Sequence, residues 1–194
     1  MTKGRLEAFS DAVIAIIMTI MVLELRPPEG TELADLQPLV PSFLAYVLSF
    51  AFLGIYWNNH HHLLQATKRV NGAVLWANLN LLLWLSLLPF ATGWLGENHS
   101  ATTPAVAYGF VLLLAGVAYF ILEKTIVAAQ EEGSVIADAI GDDRKGRITL
   151  VVIILGIIAS FFNAFVGEAL YLVVAIIWLV PDRRIERALD RDNA

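Results

Sequence analysis

The stretch Arg5–Leu25 reads RLEAFSDAVIAIIMTIMVLEL, a polar start that runs directly into an apolar segment. A helix that crosses a bilayer needs about 20 mostly apolar residues, so this stretch predicts a first membrane span. Its start carries Arg5, Ser10 and Asp11, where a simple lipid anchor would have apolar residues. Ionisable groups at the edge of a bilayer are costly unless they are paired, hydrated or used. The polar start therefore indicates a structural anchor or a functional site.

One face of this predicted helix carries branched apolar side chains interrupted by a single hydroxyl. At about 100° per residue, the members of this stripe are Arg5, Phe9, Ala12, Ile16, Thr19 and Leu23, with Ile20 at its edge. Ser10 and Asp11 point away from the stripe. The pattern predicts a pore wall on one side of the helix and a polar anchor on the other. Apolar residues at helical spacing are equally typical of a face that packs in a bundle or contacts lipid, and this alternative stays open.

The composition is that of an integral membrane protein. Of 194 residues, 58% are hydrophobic and 16% are charged, whereas soluble domains are about half apolar and about a quarter charged. The sequence has no cysteine, which excludes disulfides, thiolate metal sites and cysteine nucleophiles. A net charge of -5 and the lack of a basic tract argue against nucleic acid as a partner. No small-x-small cleavage site follows the first apolar run, so we expect it to be retained as a span.

The apolar segments predict an all-α polytopic protein with a single domain over residues 1–194. We expect Pro89 to bend the third helix. The last apolar segment is too long for one span and short for two, so we expect Gly167 to divide it into two helices. Ala105 with Gly109, and Gly156 with Ser160, give small-xxx-small packing faces. The six predicted transmembrane helices lie near 6–25, 39–64, 72–95, 104–129, 147–165 and 168–181.

The basic residues favour six spans over five. With six spans, every lysine and arginine except Arg26 falls on the side of the amino terminus. The positive-inside rule then predicts that both termini are cytoplasmic. A five-span model would place the four arginines of the carboxy-terminal segment outside, and we reject it.

The segment Trp57-Asn58-Asn59-His60-His61-His62 ends the second predicted helix. Consecutive helical residues diverge by about 100°, so the three histidines cannot grip one metal ion, and we expect no metal site. We expect one imidazole and an asparagine to hydrogen-bond to another helix, with Asp11 as the carboxylate at matching depth. Ser10 and Asp11 diverge on one helix, which argues against a hydrolytic triad and an enzyme. An effect of pH near neutrality stays open.

At Arg5-x-x-x-Phe9-Ser10-Asp11, followed by this apolar helix and the Trp57–His61 element, the sequence resembles the bacterial branch of the transmembrane-protein-175 family of potassium channels. The resemblance implies a pore without a re-entrant loop, walled by the first helices around an axis. It also implies a homotetramer in the bacterial cytoplasmic membrane, because this chain carries a single six-span unit. The expected partners are potassium ions and lipid, with no cofactor beyond the permeant ion.

The resemblance also assigns roles by position. Ile16 corresponds to the hydrophobic constriction, Ile20 and Leu23 to further apolar rings, and Thr19 to a hydroxyl that contacts the ion. The residues that correspond to a polar network holding the first helix in place are Arg5, Phe9, Ser10, Asp11, Trp57, Asn58, His60 and His61.

The predicted function is a cation channel with a modest preference for potassium over sodium. No Thr-Val-Gly-Tyr-Gly sequence is present, which excludes a carbonyl-lined potassium filter. Hydroxyl oxygens replace an ion's hydration water less well than the stacked carbonyls of such a filter. The alternatives are a secondary transporter or proton-coupled carrier, whose sites use broken helices and inverted repeats, and a membrane scaffold without transport activity.

Overall fold

The computed structural model describes residues 2–130 and 144–179. Within these residues the chain is all helical, with two 3₁₀ segments, Met21–Glu24 and Leu33–Leu39. The α-helices are α1 (Lys3–Ile20), α2 (Val40–Ala66), α3 (Gly72–Ser86), α4 (Leu88–Glu97), α5 (Thr102–Ala129), α6 (Arg144–Ser160) and α7 (Ala164–Leu179). The all-α prediction is confirmed for this part of the chain.

Four helical stretches among the described residues have the length and apolar composition to cross a membrane. They are Lys3–Glu24, Leu33–Ala66, Gly72–Glu97 and Thr102–Ala129, and Ala164–Leu179 is a shorter apolar helix. The ends of neighbouring helices meet on two sides of the bundle. Lys3 contacts Gln65 on one side, which we call the amino-terminal side. Arg26 pairs with Glu97 on the other, which we call the far side.

The helix α1 presents one face to the rest of the chain and leaves the opposite face exposed. Leu6, Ser10, Ile14 and Ile17 are buried at intervals of three or four residues, which is the spacing of one helical face. Met21 continues this face where α1 passes into the 3₁₀ segment. The predicted first span is therefore present, and Pro27 and Pro28 follow its end.

The predicted third span consists of two helices. The helix α3 ends at Ser86 and α4 begins at Leu88, with Pro89 in its first turn. Proline has no backbone N–H and cannot continue the ladder of the preceding turn. The N–H of Leu87 instead bonds the carbonyl of Trp84 at 3.2 Å. The helical hydrogen bonding is thus interrupted at Leu87, two residues before Pro89, within the apolar stretch Gly72–Glu97.

The break between the last two helices lies at Phe161–Asn163, and the prediction of a break at Gly167 is wrong. Asn163 Oδ1 accepts a hydrogen bond from the N–H of Phe165 at 3.0 Å and so begins α7. Gly167 lies inside α7, where a Cβ would come 2.7 Å from the carbonyl oxygen of Gly156. The glycine thus permits close helix packing. With 17 and 16 residues, α6 and α7 each extend about 25 Å.

The two predicted small-xxx-small faces meet around one tyrosine. Tyr171 is fully buried, and its hydroxyl donates to the carbonyl of Ala105 at 3.1 Å. A Cβ on Gly156 would lie 2.5 Å from the Tyr171 ring, and Gly109 lies against its hydroxyl. Small residues on α5 and α6 therefore make room for the tyrosine of α7, which confirms their packing role.

Candidate functional site: the polar start and exposed face of α1

A buried chain of hydrogen bonds joins the first three helices on the amino-terminal side. Asn78 Nδ2 on α3 donates to Ser10 Oγ on α1 at 2.9 Å. Asn78 Oδ1 lies 2.7 Å from His60 Nε2 on α2. Ser10, Asn78 and His60 are all at most 1% exposed. One imidazole of α2 thus bonds to another helix, as predicted, but its partner is Asn78 and not Asp11, and the chain includes the signature serine.

The donors and acceptors in this chain fix the tautomer of the histidine. Ser10 Oγ donates its one proton to the carbonyl of Leu6 at 2.9 Å, so it accepts from Asn78. The amide nitrogen of Asn78 then faces Ser10 and its oxygen faces His60. Since that oxygen only accepts, His60 Nε2 carries a proton. All three side chains are satisfied, which a buried polar chain requires for stability.

Asp11 has a different partner from the one predicted. Its Oδ1 accepts a hydrogen bond from Trp57 Nε1 at 3.0 Å, whereas His60 turns into the core toward Asn78. The expectation that a histidine pairs with Asp11 is therefore wrong for His60. The Trp57 ring stacks on His61 with 6.1 Å between centroids, so Asp11, Trp57 and His61 form a second, more exposed cluster.

The remaining residues of the predicted network lie outside these two groups. Arg5 and Phe9 lie on the exposed side of α1. Asn58 is half-buried on α2, beside a shallow groove that Phe50 and Gly54 also line. Within the described residues, no group of three histidine, cysteine or acidic side chains has the geometry to hold a metal ion.

Sequence reasoning missed one contact that ties the start of α1 to α2. Lys3 Nζ donates to the carbonyl of Gln65 at 2.6 Å, near the end of α2. The same ammonium group lies 3.9 Å from Glu7, one turn along α1. A lysine before an apolar segment indicates only which side of the membrane that end of the helix faces. Nothing in the sequence predicts that Lys3 binds the carbonyl of Gln65.

The predicted pore-facing stripe of α1 is exposed in the single chain. Ile16 is 56% exposed and Leu23 is 74% exposed, and Ile20 and Thr19 also lie on the surface. Such a continuous apolar face on a single chain marks a contact with lipid or with another protein surface. Thr19 Oγ1 donates its proton to the carbonyl of Ile16 at 2.9 Å, and the hydroxyl lies on the exposed face of α1.

The far end of α1 is held mainly by α4. Arg26 lies 3.5 Å from Glu97 in an exposed ion pair. A Cβ on Gly93 would come 2.5 Å from a carboxylate oxygen of Glu24, so this glycine lets Glu24 pack on α4. Met21 Sδ lies 4.0 Å from the hydroxyl of Thr92. The exposed stripe is thus carried by a helix that is anchored at both ends.

Comparison with known proteins places this geometry in a family. The family model described as "Endosomal/lysosomal potassium channel TMEM175" matches residues 5–89. A protein from Chryseobacterium sp. strain P1-3, named a potassium channel, is 54% identical over 189 residues, 97% of this chain and 98% of the relative. The chain belongs to the TMEM175 family.

One solved TMEM175 relative shares the fold, and other relatives carry a different name. The crystal structure titled as a lysosomal potassium-selective channel TMEM175 homolog from Chamaesiphon minutus matches with a TM-score of 0.82 and 29% identity, over 92% of this chain and 96% of that one. The human protein named "Endosomal/lysosomal proton channel TMEM175" is 34% identical over 103 residues, 47% of this chain and 20% of the human one. The resemblance drawn from the sequence is confirmed.

Membership of the TMEM175 family indicates that the apolar helices lie in a membrane. The family is one of ion channels and not a class of enzymes. Several long apolar helices in an ion-channel family make this a multi-pass membrane protein. The family match covers α1, α2 and α3 and ends at Pro89. It therefore includes both polar clusters and the whole exposed stripe of α1.

Proposed function

We propose that the protein is a potassium-permeable cation channel in which the exposed stripe of α1 lines the pore of a homotetramer. The observation that carries the proposal is the division of α1 into a buried face and an exposed apolar face. Its bacterial relatives from Chryseobacterium and Streptomyces collinus are named potassium channels. The proposal includes six spans, cytoplasmic termini and a place in the bacterial cytoplasmic membrane, which the distribution of basic residues favours.

The constriction in this proposal is a ring of four Ile16 side chains. One branched side chain cannot surround an ion, but four copies around an axis can close a ring. An apolar ring of this kind gates by excluding water from the pore. Ile20 and Leu23 form further apolar rings toward the far side, and both are exposed on the protomer as such a role requires.

The selectivity in this proposal comes from Thr19, one turn beyond the constriction. Because its proton bonds the Ile16 carbonyl, the oxygen presents lone pairs to the exposed face. Four neutral hydroxyl oxygens replace only part of an ion's hydration shell, unlike the stacked carbonyls of a classical filter. We therefore expect a preference for potassium over sodium that is real but modest.

The polar clusters at the start of α1 hold the stripe in register. Ser10, Asn78 and His60 tie α1 to α2 and α3 from the buried side. Asp11 and Trp57 add a second contact at the edge of the same face. Rigid anchoring of this kind keeps pore-lining residues at their required positions.

Ion flux from proteoliposomes that hold the purified protein tests the proposal. We expect potassium flux above sodium flux and none with choline. Ile16→Asn hydrates the constriction and raises potassium flux, whereas Ile176→Asn, at a residue that is 55% exposed on α7, leaves it unchanged. If Ile16→Asn behaves like the parent protein, or if Ile176→Asn raises flux to the same extent, α1 does not wall the pore.

The alternative is a secondary transporter or proton-coupled carrier. The break at Leu87 between α3 and α4 favours it, because transporters place discontinuous helices at their binding sites. A carrier moves ions in a saturable cycle coupled to a second ion, whereas a channel gives resolvable unitary currents. Currents recorded from single proteins in a planar bilayer separate the two.

A further inference from the structure

A cavity lies between α2, α5, α6 and α7, away from the exposed stripe of α1. Its empty volume, including its open mouth, is about 610 Å³, and small-molecule pockets measure about 300–1,000 Å³. Leu112, Gly116 and Glu123 line it along α5. At 1.5 Å per residue, the distance from Leu112 to Glu123 is about 16 Å. The cavity is therefore an elongated slot that runs along the helices.

The end of the slot nearer the far side is apolar. Each of the four helices contributes one apolar side chain to it, and these are Phe52, Leu112, Ile153 and Val174. Leu150 packs directly on the backbone of Gly116, where a Cβ would come 2.8 Å from its Cδ2 atom. The slot is thus narrow as well as long, which is the shape of one hydrocarbon chain.

A tyrosine hydroxyl without a partner lies in the lining of the slot. Tyr56 on α2 lines it, and its ring packs edge-on against that of Tyr119 with 6.1 Å between centroids. Its hydroxyl oxygen would lie 3.6 Å from a Cβ on Gly116 across the slot. Within the part of the chain that the structure describes, this hydroxyl makes no hydrogen bond. The slot therefore presents an unused O–H donor.

An unused acceptor lies beside this donor. Asn59 also lines the slot, three residues after Tyr56 and so on the same face of α2. Its Nδ2 donates to the carbonyl of Ile55 at 2.9 Å, which leaves Oδ1 to accept. Among residues 2–130 and 144–179, no group donates to this oxygen. Polar groups without partners are costly in apolar surroundings, so both atoms favour a ligand that supplies the missing hydrogen bonds.

The other polar side chains of the lining already have partners. Thr149 Oγ1 accepts a hydrogen bond from Trp178 Nε1 at 2.6 Å. Tyr119 and Glu123 each have a partner within the chain, so the carboxylate does not call for a cationic ligand. Among the described residues that line the slot, none is a lysine or arginine. The slot therefore lacks hydrogen bonds at Tyr56 and Asn59, and it lacks no counter-charge.

We propose that the slot binds an uncharged single-chain amphiphile whose head is a hydroxyl group. A hydroxyl both donates and accepts, so its oxygen accepts from Tyr56 while its proton bonds Asn59 Oδ1. The hydrocarbon chain lies in the apolar end, toward Phe52. A charged head would lose its hydration there without gaining an opposite charge. The site is separate from α1 and does not depend on the pore.

Photolabelling of the unmodified protein in nanodiscs of a neutral lipid tests the site. The probe is decanol with a diazirine in its chain, and mass spectrometry locates the adducts. Decanol, decane and decyl sulfate are the unlabelled competitors, compared by their concentrations in the lipid phase. We expect saturable labelling at Leu112 and Ile153. We expect decanol to compete at a concentration about tenfold lower than decane or decyl sulfate, as two hydrogen bonds supply.

Two variants locate the bound head group. Tyr56→Phe removes only the hydroxyl, and Asn59→Leu removes the acceptor oxygen. We expect each to raise the half-maximal competing concentration of decanol about fivefold, as the loss of one hydrogen bond does, and to leave that of decane unchanged. Tyr46→Phe is the control, since Tyr46 lies nearer the start of α2 and outside the slot lining.

Several results would overturn the assignment. Equal competition by decane and decanol shows that the slot recognises no hydroxyl group. Decyl sulfate that competes as well as decanol indicates an anionic ligand. Competition by decanol that neither Tyr56→Phe nor Asn59→Leu changes places the head group elsewhere. The absence of saturable labelling shows that the slot is not a ligand site.

Discussion

At the scale of single residues, the direction of each hydrogen bond decides what a side chain offers. The Thr19 hydroxyl donates its proton to the carbonyl of Ile16, and Thr19 lies on the exposed side of α1. The Ser10 hydroxyl likewise donates its proton to the carbonyl of Leu6, and its oxygen accepts a hydrogen bond from the amide of Asn78. One hydroxyl thus lies on the exposed face, where we propose that its oxygen contacts the ion, and the other closes a buried chain that reaches His60.

We expect Thr19→Val to reduce the preference for potassium over sodium, because valine keeps the shape of threonine and removes the oxygen. Thr19→Ser keeps the hydroxyl and retains the preference. Thr125→Val is the matched control, since Thr125 on α5 also donates to a carbonyl of its own helix, at 2.7 Å. Potassium and sodium fluxes from proteoliposomes give the ratio. An unchanged ratio in Thr19→Val removes Thr19 from ion contact.

The buried chain Ser10–Asn78–His60 makes a prediction about stability. Asn78→Leu leaves the N–H of His60 Nε2 without its acceptor and removes the N–H that Ser10 Oγ accepts, and an unsatisfied buried group costs about 1–3 kcal/mol. We expect a lower unfolding temperature for the purified protein. Asn80→Leu, two residues along α3 and only half-buried, is the control. Equal unfolding temperatures for Asn78→Leu and the parent protein would mean that this chain does not anchor α1.

At the scale of helices, the sequence predicts a helix break well where a residue's own backbone causes it. It predicts poorly where the role of a residue depends on packing against another helix. Pro89 breaks a helix because it lacks an N–H, and the break is there. The sequence also predicts a break at Gly167, but α7 continues through this residue. The atoms of α6 that pack against it are the Ser160 side chain and the carbonyl oxygen of Gly156. Only the folded hairpin of α6 and α7 shows that contact.

Gly167→Ala tests this packing role. The new Cβ would meet the carbonyl oxygen of Gly156 at 2.7 Å, and backbone cannot yield as a flexible side chain does. Overpacking of this kind costs about 1–3 kcal/mol, so we expect a lower unfolding temperature or loss of the folded protein. Gly72→Ala adds the same methyl group where no atom lies within 4 Å and is harmless. If both variants unfold like the parent protein, α6 and α7 are not closely packed.

At the scale of the whole molecule, much of the account was accessible from the sequence. The first span and the exposed stripe follow from Arg5–Leu25 and its helical periodicity. The family follows from the resemblance at Arg5-x-x-x-Phe9-Ser10-Asp11 and the Trp57–His61 element. The partner of Asp11 could not be predicted from the sequence, because Trp57 and the histidines that follow it all lie close enough along α2 to reach the same turn of α1. Their rotation about the α2 axis decides which one meets the carboxylate, and that rotation is set by the packing of His60 against Asn78.

The central claim is that Ile16 from neighbouring subunits meets at a common axis. The chain has no cysteine, so Ile16→Cys introduces a single thiol per protomer, and Ile176→Cys on α7 is the matched exposed control. Oxidation in the native membrane, followed by non-reducing electrophoresis, measures the contact. The account predicts a cross-linked dimer for Ile16→Cys and a monomer for Ile176→Cys. An Ile16→Cys protein that stays monomeric and reacts with a lipid-soluble thiol reagent would contradict it.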